Sequence, residues 1–341
     1  MLNLFVSVDK IEPWKYILNA NIPELKLSKG IIITEKIKEN LLKKGIFVIP
    51  IIKNSAIEYA VLRNELVEQS YNKVKEFWSS LYEKQKIDKD QFIDISQDIA
   101  ESIIDNFDDD VIYIPLKKLQ NFDEYTYTHS LNVSIVATLI TKAMGFDNFL
   151  VKKVSLSALL HDIGKSKIDI NLINAPRGLT KEEFEQIKNH VKYGKEICYE
   201  QGIDDENIIS GILYHHERFD GRGYLSRLKE EEIPIFGRII AIADVYDALT
   251  SKRSYKGCWN NYKAVSHIIQ NSTKMFDPDC VSAFVKVFGI YPPGTKVLLS
   301  DYRIATVIAS KKDNELQPLL QIGNQIVVDL ASEKSYILKV L

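Results

Sequence analysis

From about residue 115 to residue 288 the chain is written almost wholly in a helical period, and that stretch leaves few folds open. Val133, Val136 and Ile140 form an inward stripe behind His129, and Ile208 and Ile212 do the same ahead of His215 and His216. Successive amphipathic helices hide such stripes by packing on one another, so the expected fold class is mainly α, a helical bundle. Gly178-Leu179-Thr180 followed by Glu183 predicts a capping box, opening a helix that carries Phe184, Ile187, Val191 and Ile197. Pro234 suits the first turn of another helix running to about Leu249.

The flanks read differently. Residues 1 to about 57 mix short apolar runs at 4–8, 30–34 and 46–52 with one helical stretch at 34–44, which suggests a small α/β or α-helical module. Residues 58–82 are helical in pattern, 83–90 read as a polar linker, and Phe92, Ile95, Ile99 and Ile103 mark a further amphipathic helix. Residues 108–110 are a short acidic turn. Beyond Tyr291-Pro292-Pro293-Gly294, runs at 297–299, 304–309, 319–322, 326–329 and 336–340 are strand-like, a short β-rich tail. The expected organisation is a regulatory or dimerisation module at 1–110, a catalytic domain at 111–288 and an appendage at 289–341.

Composition narrows the function. A formal charge of −2 over 341 residues gives no field for coating DNA or RNA, so phosphate recognition must come from locally placed Lys and Arg. No run approaches the roughly 18 uninterrupted apolar residues of a membrane span, and the N-terminus lacks a signal-peptide pattern. Cys198, Cys258 and Cys280 are far apart with no CxxC pair, which fits reduced thiols in a cytoplasm.

Five of the six histidines, His129, His161, His190, His215 and His216, lie in the helical middle. His161-Asp162 and Lys165 sit in Ala158-Leu159-Leu160-His161-Asp162-Ile163-Gly164-Lys165, apolar enough to be a buried helix. Burying an imidazole, a carboxylate and an ammonium together costs several kcal/mol (roughly) unless they are paired or hold a cation. Helical steps of one, three and four place the three on one face. Asp244 occupies a similar setting within Ile239-Ile240-Ala241-Ile242-Ala243-Asp244. Taken singly, each is explained as a hydrogen-bonded core residue; as a set they suit one or two divalent ions held by mixed nitrogen and oxygen ligands. His267, beside Ile268 and Ile269, reads as an ordinary surface or core histidine.

These residues resemble the HD-GYP family, a branch of the HD-domain metal-dependent phosphohydrolases. The matching pieces are Tyr125-Thr126-Tyr127-Thr128-His129-Ser130, His161-Asp162-Ile163-Gly164-Lys165, His190, His215-His216-Glu217-Arg218-Phe219-Asp220-Gly221-Arg222-Gly223-Tyr224, the run from Arg238 to Thr250, and Arg253-Ser254-Tyr255. The resemblance implies that His129, His161, Asp162 and Asp244 bind one metal. It implies that Asp162 bridges to a second held by His190, His215 and His216. It places Lys165 beside the scissile phosphate, and Gly223, Tyr224, Arg253 and Lys256, with Arg222, around the substrate. The family hydrolyses cyclic di-GMP to linear pGpG or GMP and uses iron or manganese. The expected mechanism is attack by a hydroxide shared between two cations, with Lys165 neutralising charge or protonating the departing ribose oxygen.

Two positions depart from the family pattern. Leu225 replaces the proline of GYP, which removes a φ restraint. Tyr125, with Glu124 beside it, stands where members with a third metal carry a carboxylate, so two metals are expected. Without the family match, the 221–223 loop reads as a turn, and Arg222, Arg253 and Lys256 as solvated charges. Asp247 reads equally as a partner of a ligand or as a helix-surface acid. The rival functions are a phosphohydrolase of another nucleotide and a non-catalytic cyclic di-GMP receptor. A homodimer, and protein partners at the GYP loop or the N-terminal module, are compatible with the sequence.

Overall fold

Two compact units make up the chain in this computed structural model: Met1–Ala60, Asp109–Ile114 and Phe288–Leu341 in one, Val61–Asp108 and Pro115–Val287 in the other. The structure describes residues 4–11, 16–18, 20–25, 27, 33, 35–53, 64–84, 89–107, 111–112, 125–173, 175, 177–251, 259–311, 314–323 and 326–341.

The first unit is built on antiparallel strands. β1 (Leu4–Ser7), β2 (Tyr16–Leu18) and β3 (Val48–Lys53) form a sheet of order β1-β3-β2, with α1 (Glu35–Lys43) between β2 and β3 in sequence. Ile37 and Leu41, one helical turn apart on α1, join Ile49 and Ile51 of β3, alternate residues of one sheet face, in a buried cluster with Leu18. Further along, β4 (Val111–Ile112), β5 (Lys296–Leu299), β6 (Ile304–Lys311), β7 (Leu319–Ile322), β8 (Ile326–Asp329) and β9 (Ile337–Val340) form a second sheet. Its order is β8-β7-β6-β5-β9, and β4 pairs with the end of β6. Each strand of the tail falls on the run expected for it; the period of two in β6 buries Ala305, Val307 and Ala309.

The second unit is helical. Its elements are α2 (Asn64–Lys84), α3 (Lys89–Asn106), α4 (Tyr125–Ala143), α5 (Asn148–Leu160), α6 (Ile170–Ile173), α7 (Lys181–Lys188), α8 (His190–Glu200), α9 (Glu206–Tyr214), α10 (Ile235–Thr250), α11 (Asn261–Gln270) and α12 (Pro278–Phe288). Phe92, Ile95, Ile99 and Ile103 of α3 are all buried, as the period required, and α3 packs on α4 and α5. Small residues and hydroxyls let these helices approach one another. Ser134 Oγ donates to the Ser155 carbonyl, Ser155 Oγ to the Ser96 carbonyl and Ser157 Oγ to the Ile208 carbonyl. Each buried hydroxyl is thereby satisfied while it ties one helix to the next.

Three local readings change. The expected helix through His161 stops: α5 ends at Leu160, and residues Ile163–Lys167 form a 3-10 turn. The helix opened by the Thr180 capping box, which forms as expected, ends at Lys188, and Asn189 separates it from α8. Phe184 on that short helix is 44% exposed rather than packed with Val191 and Ile197. The acidic turn at 108–110, the linker residues 85–88 and the Gly30–Ile32 portion of an expected strand lie outside the described residues.

Candidate metal centre

The break after α5 builds the centre. His161 caps α5 in αR geometry and Asp162 turns away at φ −102°, ψ 6°, so its carboxylate departs from the helix line. The turn then presses on the start of α8. A Cβ on Gly164 would stand 1.9 Å from the His190 carbonyl oxygen and 2.4 Å from the Gly194 nitrogen. Only glycine lets the two backbones approach this closely, and the approach sets His190 opposite Asp162. His215 and His216 follow the last residue of α9, His129 lies in the first turns of α4 and Asp244 in α10.

Asp162 divides its carboxylate between two sets of nitrogens. Oδ2 lies 3.6 Å from His129 Nε2 and 3.4 Å from His161 Nε2; Oδ1 lies 3.3 Å from His190 Nε2 and 4.0 Å from His215 Nε2. Donor atoms of Asp162, His190, His215 and His216 all fall within 4.8 Å of one another, and so do those of His129, His161 and Asp162. Asp244 borders both sets, with Oδ1 3.3 Å from His129 Nε2 and Oδ2 3.9 Å from His216 Nδ1. Lys165 Nζ pairs with Asp162 Oδ2.

The tautomers follow from the hydrogen bonds. Nδ1 of His161, His190 and His215 each faces a backbone carbonyl three residues earlier, those of Ala158, Ile187 and Ile212, at 2.7, 2.8 and 2.9 Å. A carbonyl only accepts, so each Nδ1 carries the proton and each Nε2 turns a lone pair inward. His129 Nδ1 donates to Asp247 Oδ2 at 2.7 Å and leaves its Nε2 in the same state. Two consequences bear on a metal. His190 Nε2 and His215 Nε2 stand 3.5 Å apart, lone pair against lone pair. His161 Nε2 and Asp162 Oδ1 are buried and make no hydrogen bond. Convergent lone pairs with no donor between them are costly unless a cation sits among them, and imidazole with carboxylate is a donor set that divalent transition ions take. The residues fit such an ion.

The electrostatics agree. Burial pushes His190 and His215 below the ordinary histidine value and His216 down to about 3, so the imidazoles are neutral and ready to ligate. Burial alone would raise Asp162, but the Lys165 ammonium beside it holds the carboxyl well below its usual range. Asp244 is held low against burial by His129. Burial raises Tyr224, with Asp162 and Asp244 adding to it, so its phenol keeps its proton.

All seven expected ligands thus converge, and Lys165 joins them. Tyr224 also arrives, stacked on the His216 ring at 4.7 Å between centroids. Gly223 permits the loop to reach that position, because a Cβ there would meet the Glu217 Cα and Arg218 nitrogen at 2.5 Å. Arg222 is exposed, with its backbone N–H on Asp220. Arg253, Lys256, Cys258, Glu124 and the Tyr125 side chain lie outside the described residues. His267 is partly buried beside Trp259 and Asn271, an ordinary histidine as expected.

Other residues complete the site, among them Asp247, which the sequence left open between a partner of a ligand and a helix-surface acid. Asp247 accepts from His129, from Asn132 Nδ2 at 2.6 Å and from Ser251 Oγ at 2.8 Å, so it orients the His129 ring rather than facing solvent. Its place one helical turn beyond Asp244 in apolar α10 was the available signal, as was the three-residue step from His129 to Asn132. Glu217 is buried and accepts the backbone N–H groups of Ser226 and Arg227 at 2.5 and 3.0 Å, which closes the loop that carries Tyr224. It lies within the matched run from His215 to Tyr224, but nothing in the sequence gave it a role.

The comparisons with known proteins follow the same residues. Residues 115–280 match a family model described as an HD domain. A cyclic di-GMP phosphodiesterase of Pseudomonas aeruginosa is 33% identical over 238 residues, 70% of this chain and 56% of that protein. A cyclic di-GMP phosphodiesterase of Thermotoga maritima is 37% identical, over 52% of this chain and 50% of that protein. The chain spans about half the length of the curated relatives it matches. Among solved structures, an HDG"Y"P protein of Bdellovibrio bacteriovorus superposes with a TM-score of 0.50 at 16% identity, covering 83% of this chain and 98% of that one, which bears on the fold alone. The HD domain match, the relatives and the residues that carry the motif together place this chain in the HD-GYP family.

Proposed function

We propose that the chain is a metal-dependent phosphodiesterase that hydrolyses the phosphodiester bonds of cyclic di-GMP, giving pGpG, GMP or both, in the cytoplasm. The observation that carries this reading is the divided carboxylate of Asp162, with each oxygen facing its own pair of imidazole lone pairs. His129, His161, Asp162 and Asp244 would hold one divalent ion, and Asp162, His190, His215 and His216 a second. Iron and manganese are the ions proposed, two rather than three. When bound, they supply an acidified water and neutralise charge on the phosphoryl oxygens.

The remaining work falls to side chains of this chain. Lys165, beside Asp162, places positive charge at the scissile phosphate and can give a proton to the departing ribose oxygen. Tyr224, fixed on His216 and kept neutral by burial, positions the substrate with Gly223 and Arg222. Arg253 would grip phosphate through a planar fork and Lys256 as a point charge. Asp247 and Asn132 hold His129 in the tautomer that presents Nε2. Residues 1–110 would serve regulation, dimerisation or partner binding, 111–288 catalysis, and 289–341 form a β-rich appendage.

Anaerobically purified protein tests this directly. It should contain about two equivalents of iron or manganese and convert cyclic di-GMP to linear product. A panel that includes a cyclic GMP–AMP dinucleotide and mononucleotides reads specificity at the Leu225 loop. Metal-loaded protein that binds cyclic di-GMP without turnover would replace the enzyme with a receptor.

A further inference from the structure

Scattered apolar side chains on a surface are ordinary, and exposure alone says nothing of Phe184. Its alignment does. His216, a member of the metal centre, stacks on Tyr224 with planes 29° apart, and the Tyr224 ring meets Phe184 edge-on at 6.2 Å. Lys188, one turn further along α7, sets its ammonium 4.8 Å from the Phe184 ring centre and 5.3 Å from that of Tyr224. Lys188 is in turn tied to Glu185 at 2.6 Å. Three rings and a cation therefore run outward from His216 in sequence, and Phe184 at the end of the series is 44% exposed.

The local structure holds this arrangement in place. The capping box between Thr180 and Glu183 starts α7, and Arg177 forks onto Glu183 through two hydrogen bonds of 2.7 Å. On the opposite side, Glu217 closes the loop that brings Tyr224 across. An aromatic plane flanked by a cation matches a nucleobase and its phosphate. Bases stack on such rings with little sequence preference because every base has a π-face.

We propose that Phe184, with Lys188 beside it, is the platform on which a purine base of the substrate stacks outside the metal centre. The inference rests on the phosphodiesterase reading, adds a binding residue to it and gives the ligand class as a purine nucleotide. Loss of the ring should weaken substrate capture and leave the chemical step intact.

The test compares wild type, Phe184→Ala and Phe184→Trp, each loaded with Mn²⁺, on cyclic di-GMP and on bis(p-nitrophenyl) phosphate, a diester that carries no purine base. Phe184→Ala should raise KM for the dinucleotide about tenfold at unchanged kcat, with no change on the small diester, and Phe184→Trp should restore KM. An unmoved KM in Phe184→Ala, or an equal loss on both substrates, would overturn the platform while leaving the phosphodiesterase reading standing. A wild-type protein that cleaves the small diester and no dinucleotide would sink that reading and the platform with it.

Discussion

Asp162 is the residue on which the centre turns, since among the described residues it alone belongs to both clusters of candidate ligands. Asp162→Ala should abolish both metal content and turnover; a variant that keeps either one would refute its bridging position. Lys165→Ala makes the complementary case. It should retain metal by elemental analysis yet hydrolyse slowly, because Lys165 touches the bridge without supplying a ligand. Asp247→Asn should lower metal affinity about ten- to a hundredfold, by disturbing the tautomer of His129 rather than deleting a ligand. The same residues set a pH dependence. The unfolded chain takes up protons on His190, His215 and His216 near the ordinary histidine value of about 6.5, whereas the folded, metal-free chain holds His216 neutral down to about 3. Between these values the unfolded state binds more protons, so stability stands at its full value above pH ~6.5 and falls as the pH drops. Asp162 and Asp244, held below the usual carboxylate range, extend the loss on the acid side. Thermal unfolding in chelator from pH 8 to pH 4 reads this, and a flat Tm across that range would contradict it.

At the scale of elements, the decisive feature is a helix that stops. Had α5 continued through Asp162, the carboxylate would have stayed on the helix line; the 3-10 turn instead swings it between α4, α8 and α9. Gly164 makes the turn affordable in space. Gly164→Ala should destabilise the protein by about 1–3 kcal/mol and deplete its metal, since the added carbon must push His190 away. Denaturant unfolding together with metal content checks both halves. Sequence periodicity could not show this break, because His161, Asp162 and Lys165 also share a face in a continuous helix. The same limit hid the interruption at Asn189, where the apolar series runs on across a boundary that only backbone geometry defines. The capping box, by contrast, was legible, because its signal lies within four consecutive residues.

For the whole molecule, metal and folding are one equilibrium. The lone pairs of His190 and His215 face each other only in the folded chain, so an ion bound there stabilises the folded state by mass action. Adding Mn²⁺ at about a hundred times its dissociation constant should raise stability by about 2.7 kcal/mol, visible as a higher Tm; no shift would argue against a preformed centre. None of the described helices is long and apolar enough to cross a membrane. The order of the parts was readable from the sequence: strand-like runs at both ends, helices between, and the ligand residues all in the middle. The division into units was not, since strands near the N-terminus, residues 109–114 and the β-rich tail cluster together across the intervening residues 61–108 and 115–287, a relation that local pattern does not encode.

The sequence by itself determined the helical class, the β-rich tail and the family, and singled out the histidines and aspartates that come together, because helix period, strand alternation and a costly run of polar groups in apolar settings are all local and additive. Tertiary structure alone decided which oxygen of Asp162 faces which imidazole, that Asp247 holds His129, that Glu217 closes the loop and that Phe184 stands beside Tyr224. Those facts depend on contacts between residues up to 118 positions apart, fixed by how helices pack and where their backbones break.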